Sequence, residues 1–377
     1  MTKSADDIRK NITEMMVKAI NEGVPPWRKP WSASPNSGSP CNFVSGRRYT
    51  GINPLILMYW SLGFNYSSKF WGSSSAWLKN IGAHVMREQH AVAITLFRMM
   101  PKRDPKTKQI MKNGKGEDIL FPMLREFPIF NAEQLQAPTV ETLLGGGGIV
   151  QTMLGHKGRK DKSATSKDDL LKIALQYLPR KSQPKKTWTR EKIAGAIHEQ
   201  IKVRLDGYLV VLQDLNSEPD FDPAEHFIKS TKANIRYAGD RAFYSIIEKE
   251  VTVPNKRKFE SIADFYETVF HELVHFQLAQ NGWKGDYAMG ELIAEIGACF
   301  ILMALNVPHA NKMLEKSKSY VASWLLSMKN DPKYIFDAAS QASKCADQLL
   351  GQTETILEEI NAETQQIHRE VCHSSSY

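Results

Sequence analysis

The sequence predicts an α+β protein in three parts, with boundaries near residues 136 and 218. Three observations support this division. The first part mixes short β-type runs with amphipathic helices and interleaves aromatic with basic residues. The second part, residues 137–218, holds short helical segments and no strand pattern. The third part, residues 219–377, begins with short strands and continues in apolar-striped helices. The whole chain, at 377 residues, is long enough for two domains and an insertion.

The charge of the chain is unevenly distributed. The net charge is +8, and residues 1–136 carry 19 Lys and Arg against 10 Asp and Glu. Residues 137–218 carry 14 against 9, whereas residues 219–377 carry 16 against 22. A basic front and an acidic back predict that a polyanion binds at the front.

Composition also predicts the cellular compartment. Four scattered cysteines without paired spacing indicate reduced thiols and a cytoplasmic location. The first ten residues lack the apolar core of a signal peptide. No uninterrupted apolar run of about 18 residues occurs, so no membrane-spanning helix and no membrane partner are expected.

One segment, from Ser261 to Gln280, is typical of an amphipathic helix with a serine cap at its start. It carries the sequence H-E-L-V-H. Because positions four apart lie on one face of a helix, His271 and His275 can bind one metal ion. Glu272 lies beside them, where its carboxylate can act as a general base toward water. Two imidazoles, a carboxylate and a water predict Zn²⁺, and the same donors also suit another divalent metal.

A second helix is predicted around E-L-I-A-E-I-G-A, with Glu291 and Glu295 four residues apart. Its small residues would let it approach the first helix closely. One glutamate would complete the metal site as the third protein ligand, and the other would orient a ligand histidine. The order E-x-x-A-E favours Glu291 as the ligand, whereas a longer gap after His275 favours Glu295. Both assignments stay open at this point.

Aromatic and basic residues are interleaved in the first part. Prolines hold the segment P-W-R-K-P-W extended, and a glycine-punctuated basic turn, G-R-R-Y-T-G-I-N, opens a helix. Such surfaces suit single-stranded DNA, because bases stack on aromatic rings while Lys and Arg follow the phosphates. The alternative is that most of the tryptophans belong to the core. The candidate contact residues are Trp27, Arg28, Lys29, Trp31, Arg47, Arg48, Tyr49, Asn53, Trp71 and Lys79.

These motifs occur together in a known family. P-W-R-K-P-W, G-R-x-Y-x-G-I-N, W-L-K-N-I-G-A-H-V and F-N-A-E-Q, in this order, resemble the N-terminal domain of the ArdC antirestriction family. That domain also occurs in TraC-type plasmid primases. The back half, with I-R-Y-A-G-D-R-A-F-Y before H-E-L-V-H and E-L-I-A-E-I-G-A, resembles the zincin-like metallopeptidase domain of the same proteins. Residues 137–218 have no counterpart in the resemblance.

The resemblance implies a single-stranded-DNA-binding domain at residues 1–136 and a zincin-like metallopeptidase domain, of the gluzincin type, at 219–377. The composition and helical pattern of residues 137–218 predict a basic helical insertion between the two. It implies an antirestriction protein of a plasmid or phage that protects incoming DNA. Three roles stay open. The chain could cleave restriction enzymes or other DNA-bound proteins. It could shield DNA by occupancy, with an inactive or structural metal site. The third role is that of an accessory to a plasmid primase.

Overall fold

The computed structural model describes residues 4–28, 34–156, 163–210, 221–307 and 318–351. The predicted α+β class is confirmed, since helices and short sheets are mixed along the chain. Two of the candidate DNA contacts, Lys29 and Trp31, lie outside the described residues.

The first part of the chain builds a four-stranded sheet with flanking helices. Helix α1 (Ala5–Asn21) starts at a capping box, in which Ser4 and Asp7 each accept the other's backbone N–H. The elements that follow α1 are β1 (Cys41–Asn42), α2 (Asn53–Phe64), β2 (Phe70–Gly72), α3 (Ser74–Asn80), β3 (His84–Val85), β4 (Val92–Pro101), β5 (Leu120–Asn131) and β6 (Leu135–Gln136). The sheet order is β1-β2-β5-β4, and β3 pairs with β6.

Strands β4 and β5 form a long antiparallel hairpin. Their register runs from Val92 opposite Ile129 to Pro101 opposite Leu120. Val92 and Ile129 are buried, and helices α1 and α2 pack against the hairpin. The hairpin is therefore anchored in the core at this end.

The second part is helical, and side-chain caps start three of its helices. The hydroxyls of Thr139, Ser166 and Thr189 each accept a backbone N–H three residues along the chain. Two consecutive glycines with φ of +77° and +95° separate the first two helices. The helices are α4 (Val140–Gly145), α5 (Gly148–Met153), α6 (Lys167–Tyr177) and α7 (Arg190–Asp206).

The third part consists of a small sheet followed by long helices. The elements are α8 (Asp222–Ser230), β7 (Asn234–Tyr237), β8 (Phe243–Ser245), β9 (Glu250–Val253), α9 (Ile262–Gln280), α10 (Tyr287–Ala304), α11 (Lys318–Asn330) and α12 (Tyr334–Gly351). Strand β9 lies between β7, to which it is parallel, and β8, to which it is antiparallel. Helix α9 starts at the predicted cap, because the Ser261 hydroxyl accepts the backbone N–H of Asp264.

Two hydrophobic cores cross the boundaries expected near residues 136 and 218. The central core joins α1, α2 and the β4–β5 hairpin to helices α8 to α12. The insertion core joins α4 to α7 to apolar residues of the first part, including Phe70 and Trp77. Across it, the Tyr177 hydroxyl donates to the carbonyl oxygen of Leu78 at 2.8 Å. The three predicted parts are therefore packed together through shared apolar surfaces.

Helix α10 is apolar and long enough to span a membrane by composition alone. Within the protein, 78% of its 18-residue window is buried, and it packs against α9, α11 and α12. Its place in the central core accounts for this apolar composition.

The close contact between α9 and α10 predicts the effect of one substitution. A Cβ atom added at Gly297 would lie 2.9 Å from Cγ2 of Val274, a buried side chain that is stiff because it is β-branched. We expect Gly297→Ala to lower the free energy of unfolding, measured by urea denaturation, by about 1–3 kcal/mol.

Another helical glycine provides the matched control. A Cβ atom at Gly195 in α7 would meet no atom within 4 Å, so Gly195→Ala is expected to stabilise by about 0.5–1 kcal/mol. Equal effects of the two substitutions would show that α9 and α10 are not in close contact at Gly297.

Candidate metal centre

Helix α9 places the two predicted histidines on one face. The Nε2 atoms of His271 and His275 lie 3.1 Å apart, and both side chains are largely buried. The segment forms this helix because apolar residues recur on the opposite face and pack into the central core. Both ring nitrogens therefore point to one place beside α10.

Helix α10 brings a carboxylate to the same place. The two Glu291 oxygens lie 3.5 Å from Nε2 of His271 and 3.4 Å from Nε2 of His275. One donor atom from each of these three residues lies within 4.8 Å of the others. Tetrahedral zinc with bonds of about 2.0–2.2 Å has ligand atoms about 3.3 Å apart. The spacing of the three side chains therefore fits a single metal ion of this size.

The second glutamate of α10 occupies a different position. One oxygen of Glu295 lies 3.9 Å from Nδ1 of His271, and the other accepts from the Arg28 guanidinium at 2.7 Å. Arg28 also donates to Glu267 of α9. These side chains are 13%, 15% and 8% exposed for Arg28, Glu267 and Glu295, so the cluster lies almost wholly inside the protein.

The electrostatics of the site are dominated by its carboxylates. Burial lowers the pKa of His271, but its hydrogen bond to the Glu291 carboxylate and the charges of Glu272, Glu295 and Glu291 outweigh burial and raise the pKa to about 9. Burial raises the pKa of Glu291, but its bonds to His271 and His275 lower it overall. The site is therefore rich in negative charge and attracts a cation.

Two further residues of the site were not predicted from the sequence. Arg28 was expected to contact DNA, yet its guanidinium neutralises Glu267 and Glu295. Tyr287 starts α10, and a hydrogen bond with Tyr320, burial and a hydrogen bond with Glu291 raise its pKa. Tyr287 could have been found from its position four residues before Glu291, because this spacing places both side chains on one face of a helix. No local signal identifies Arg28.

The catalytic candidate Glu272 is 8% exposed and follows His271 directly on α9. Its charge raises the pKa of His271, which places its carboxylate within electrostatic range of that imidazole. Glu272 thus combines burial with proximity to the ligand set.

The predicted DNA contacts that the structure describes differ in burial and in their partners. Trp27 and Trp71 are 0% exposed in the central core, so neither ring has a face open to a base. Asn53 bonds to the backbone of Thr95 through both its amide oxygen and nitrogen. Of the remaining candidates, Arg48 pairs with Asp347 at 3.4 Å and Tyr49 is half-buried. Arg47 and Lys79 are exposed.

The buried Arg28 cluster predicts a large stability effect. Arg28→Met would leave two buried carboxylates without their cation, so we expect it to lower the free energy of unfolding by about 3 kcal/mol or more. Urea denaturation at neutral pH measures this change. Arg48→Met is the control, because its pair with Asp347 is half-exposed and is expected to contribute less than about 1 kcal/mol. A loss for Arg28→Met no larger than the control's would contradict the burial of the cluster.

Two family matches cover most of the chain. Residues 6–130 match the N-terminal domain of the anti-restriction factor ArdC, and residues 222–341 match a zincin-like metallopeptidase domain. The region between them corresponds to the insertion and its flanks.

Similarity to curated relatives covers nearly the whole chain, including the insertion. Two DNA primases TraC of Escherichia coli are each 24% identical, over 93% and 90% of this chain, but the match covers only 28% and 19% of those longer proteins. The uncharacterized protein y4eC of Sinorhizobium fredii is 22% identical, with 90% of this chain and 91% of y4eC covered.

Solved structures with the same fold include the antirestriction protein ArdC from the R388 plasmid. Its metal-free structure has a TM-score of 0.59 at 23% identity, covering 92% of this chain and 97% of that one. Its Mn(II)-bound structure has a TM-score of 0.56 at 22% identity, covering 92% and 98%. This chain thus combines an N-terminal domain of the ArdC type with a zincin-like metallopeptidase domain, and it has the fold of ArdC.

Proposed function

We propose that this chain is an antirestriction protein of a mobile element or phage, acting in the cytoplasm. It binds single-stranded DNA through its first part and hydrolyses peptide bonds at the centre between α9 and α10. The observation that carries the proposal is the convergence of His271, His275 and Glu291, with donor atoms 3.1–3.5 Å apart, beside the buried Glu272.

The ligand assignment follows from the two carboxylate positions. Glu291 faces both Nε2 atoms, so it is the third ligand together with His271 and His275. Glu295 faces Nδ1 of His271, so it orients that imidazole and is itself held by Arg28. Zn²⁺ suits this nitrogen and oxygen set, and Mn²⁺ is the alternative ion.

Glu272 is the general base of the proposed reaction. When bound, Zn²⁺ supplies Lewis acidity that polarises the substrate carbonyl and favours ionisation of water. Glu272 takes the proton of the attacking water and delivers it to the leaving amine. Tyr287, at the rim of the site beside Glu291, can donate its hydroxyl to the oxygen of the peptide carbonyl. The proposed substrates are restriction enzymes or other DNA-bound proteins.

A second candidate function is DNA protection by occupancy, with the metal serving only structure. The basic charge of residues 1–136 favours it, because phosphate contacts need no peptidase. A role beside a primase rests on the TraC likeness, which covers less than a third of those proteins.

The ligand assignment predicts an order of metal affinities. Loss of an orienting partner costs about 10–100-fold in metal affinity, so Glu295→Gln should fall in this range and Glu291→Gln should exceed it. Isothermal titration with Zn²⁺, repeated with Mn²⁺, measures both. The exposed Glu199→Gln is the control and should not change affinity. The reverse order would assign Glu295 as the ligand.

The role of Glu272 predicts a separation of functions. Glu272→Gln keeps the size of the side chain but removes the proton acceptor, so we expect a loss of hydrolysis of about 10²–10⁴-fold. Protection of transferred DNA is measured during conjugation into a restricting recipient. Zn²⁺ affinity and single-stranded-DNA affinity of the same variant, measured in parallel, should stay close to those of the wild type.

Either outcome of that comparison is informative. Lost protection with retained metal and DNA affinity supports hydrolysis as the function. Protection that survives in Glu272→Gln would exclude the peptidase role and favour protection by occupancy.

A further inference from the structure

The β4–β5 hairpin continues beyond its buried base as an arm with exposed apolar side chains. Phe97 is 57% exposed, and Phe121 and Phe127 are 41% and 44% exposed. Met99 and Leu120 are each 50% exposed. Trp27 and Trp71, which were expected to contact DNA, are instead in the core. Residues 97–127, which we call the basic arm, therefore carry three exposed aromatic side chains together with a high density of cations.

The register of the hairpin places rings and cations on the same face. Arg98 lies opposite Met123, and Arg125 lies opposite Leu96. Residues two apart on a strand point to the same side, so Phe121, Arg125 and Phe127 share a face with Arg98. Successive side chains on this face are about 6.8 Å apart along the strand. The face therefore alternates stacking surfaces with charges.

The tip of the arm, residues 102–119, is held by hydrogen bonds within two turns. Asp104 accepts from the backbone N–H groups of Lys106 and Thr107 at 2.9 and 2.7 Å. Asn113 accepts in the same way from Lys115 and Glu117. Backbone bonds from Met111 to Lys102 and from Ile119 to Met111 tie the turns together. The lysines of the tip therefore project from an ordered backbone.

The arm has a strong excess of positive charge. Residues 97–127 contain eight Lys and Arg against four Asp and Glu, a net charge of +4. Within the described ranges, the ion pairs of the protein include none of these eight cations. Their charges are therefore available to a polyanion.

We propose that the basic arm is the surface on which single-stranded DNA binds, which rests on the proposed DNA-binding function. Bases stack on Phe121 and Phe127, while Arg98, Arg125 and the lysines of the tip contact phosphates. Charge complementarity selects a polyanion over an ordinary protein partner. The exposed rings select a single strand over a duplex, because the base faces of a duplex are covered by their neighbours.

Aromatic substitutions test the stacking half of the proposal. Phe127→Ala and Phe121→Ala are each expected to weaken binding of a fluorescein-labelled oligothymidine strand about tenfold, measured by fluorescence anisotropy. Phe243→Ala on β8 is the matched control, because Phe243 is 45% exposed and lies in the other half of the protein. The control is expected to bind like the wild type.

Charge substitutions test the other half. The quadruple variant K106Q/K108Q/K112Q/K115Q should bind the strand more weakly, with a slope of log affinity against log salt shallower by about 3. The control K202Q/K229Q/K329Q/K344Q changes the net charge equally, at exposed positions on four helices away from the arm. It should leave the slope nearly unchanged. Thermal midpoints and Zn²⁺ affinity close to those of the wild type show that each variant is folded.

The outcomes separate this inference from the proposed function. Loss of affinity in both aromatic variants and in the charge variant, with intact controls, supports the arm as the DNA site. If the wild type binds the strand and any of these three arm variants binds equally well, the arm is not the site, although DNA binding stands. The proposal is also overturned if the arm substitutions lower the affinity for duplex DNA more than the affinity for the single strand. A wild type that binds no single strand overturns both the arm and the DNA-binding function.

Discussion

The structure depends on cations that neutralise a group of carboxylates, which two packed helices bring into the protein interior. Glu267 and Glu272 on α9 meet Glu291 and Glu295 on α10 at a place with little solvent. Buried charges without partners cost several kcal/mol, so this helix pair requires cations. Imidazoles and one guanidinium supply part of the compensation. A divalent ion would supply the rest, which ties metal binding to the stability of the central core.

That requirement explains why the first and third parts are not independent bodies. The guanidinium comes from Arg28, just after α1, and the surrounding apolar residues of α1 and α2 belong to the same core as α9 and α10. The first part of the chain therefore lines one side of the candidate metal centre. A conformational change in the segment around Arg28 would shift Glu295, whose carboxylate lies 2.7 Å from the guanidinium. It would then affect His271, whose Nδ1 lies 3.9 Å from Glu295.

Local patterns predicted the elements of the centre well. Each signal lies within a few neighbouring residues: the serine cap, the histidines at i and i+4, and the small residue Gly297. Helices α9 and α10 are found at the positions that these signals predict. The partner of Arg28 was not predictable, because Glu267 and Glu295 lie 239 and 267 positions further along the chain. Proline-flanked Trp27 looked exposed in sequence, but burial is decided by tertiary packing, and the hairpin presents other aromatic rings instead.

The long separation between Arg28 and its acidic partners also orders events during synthesis. The N-terminal segment leaves the ribosome first, with a guanidinium that water can solvate until its partners arrive. Glu295 emerges only after the histidine helix, so a growing chain cannot assemble the complete centre until α10 has been translated. A fragment starting at residue 219 would never acquire that guanidinium. An unfinished chain, or a fragment without the first part, therefore lacks the complete and oriented centre.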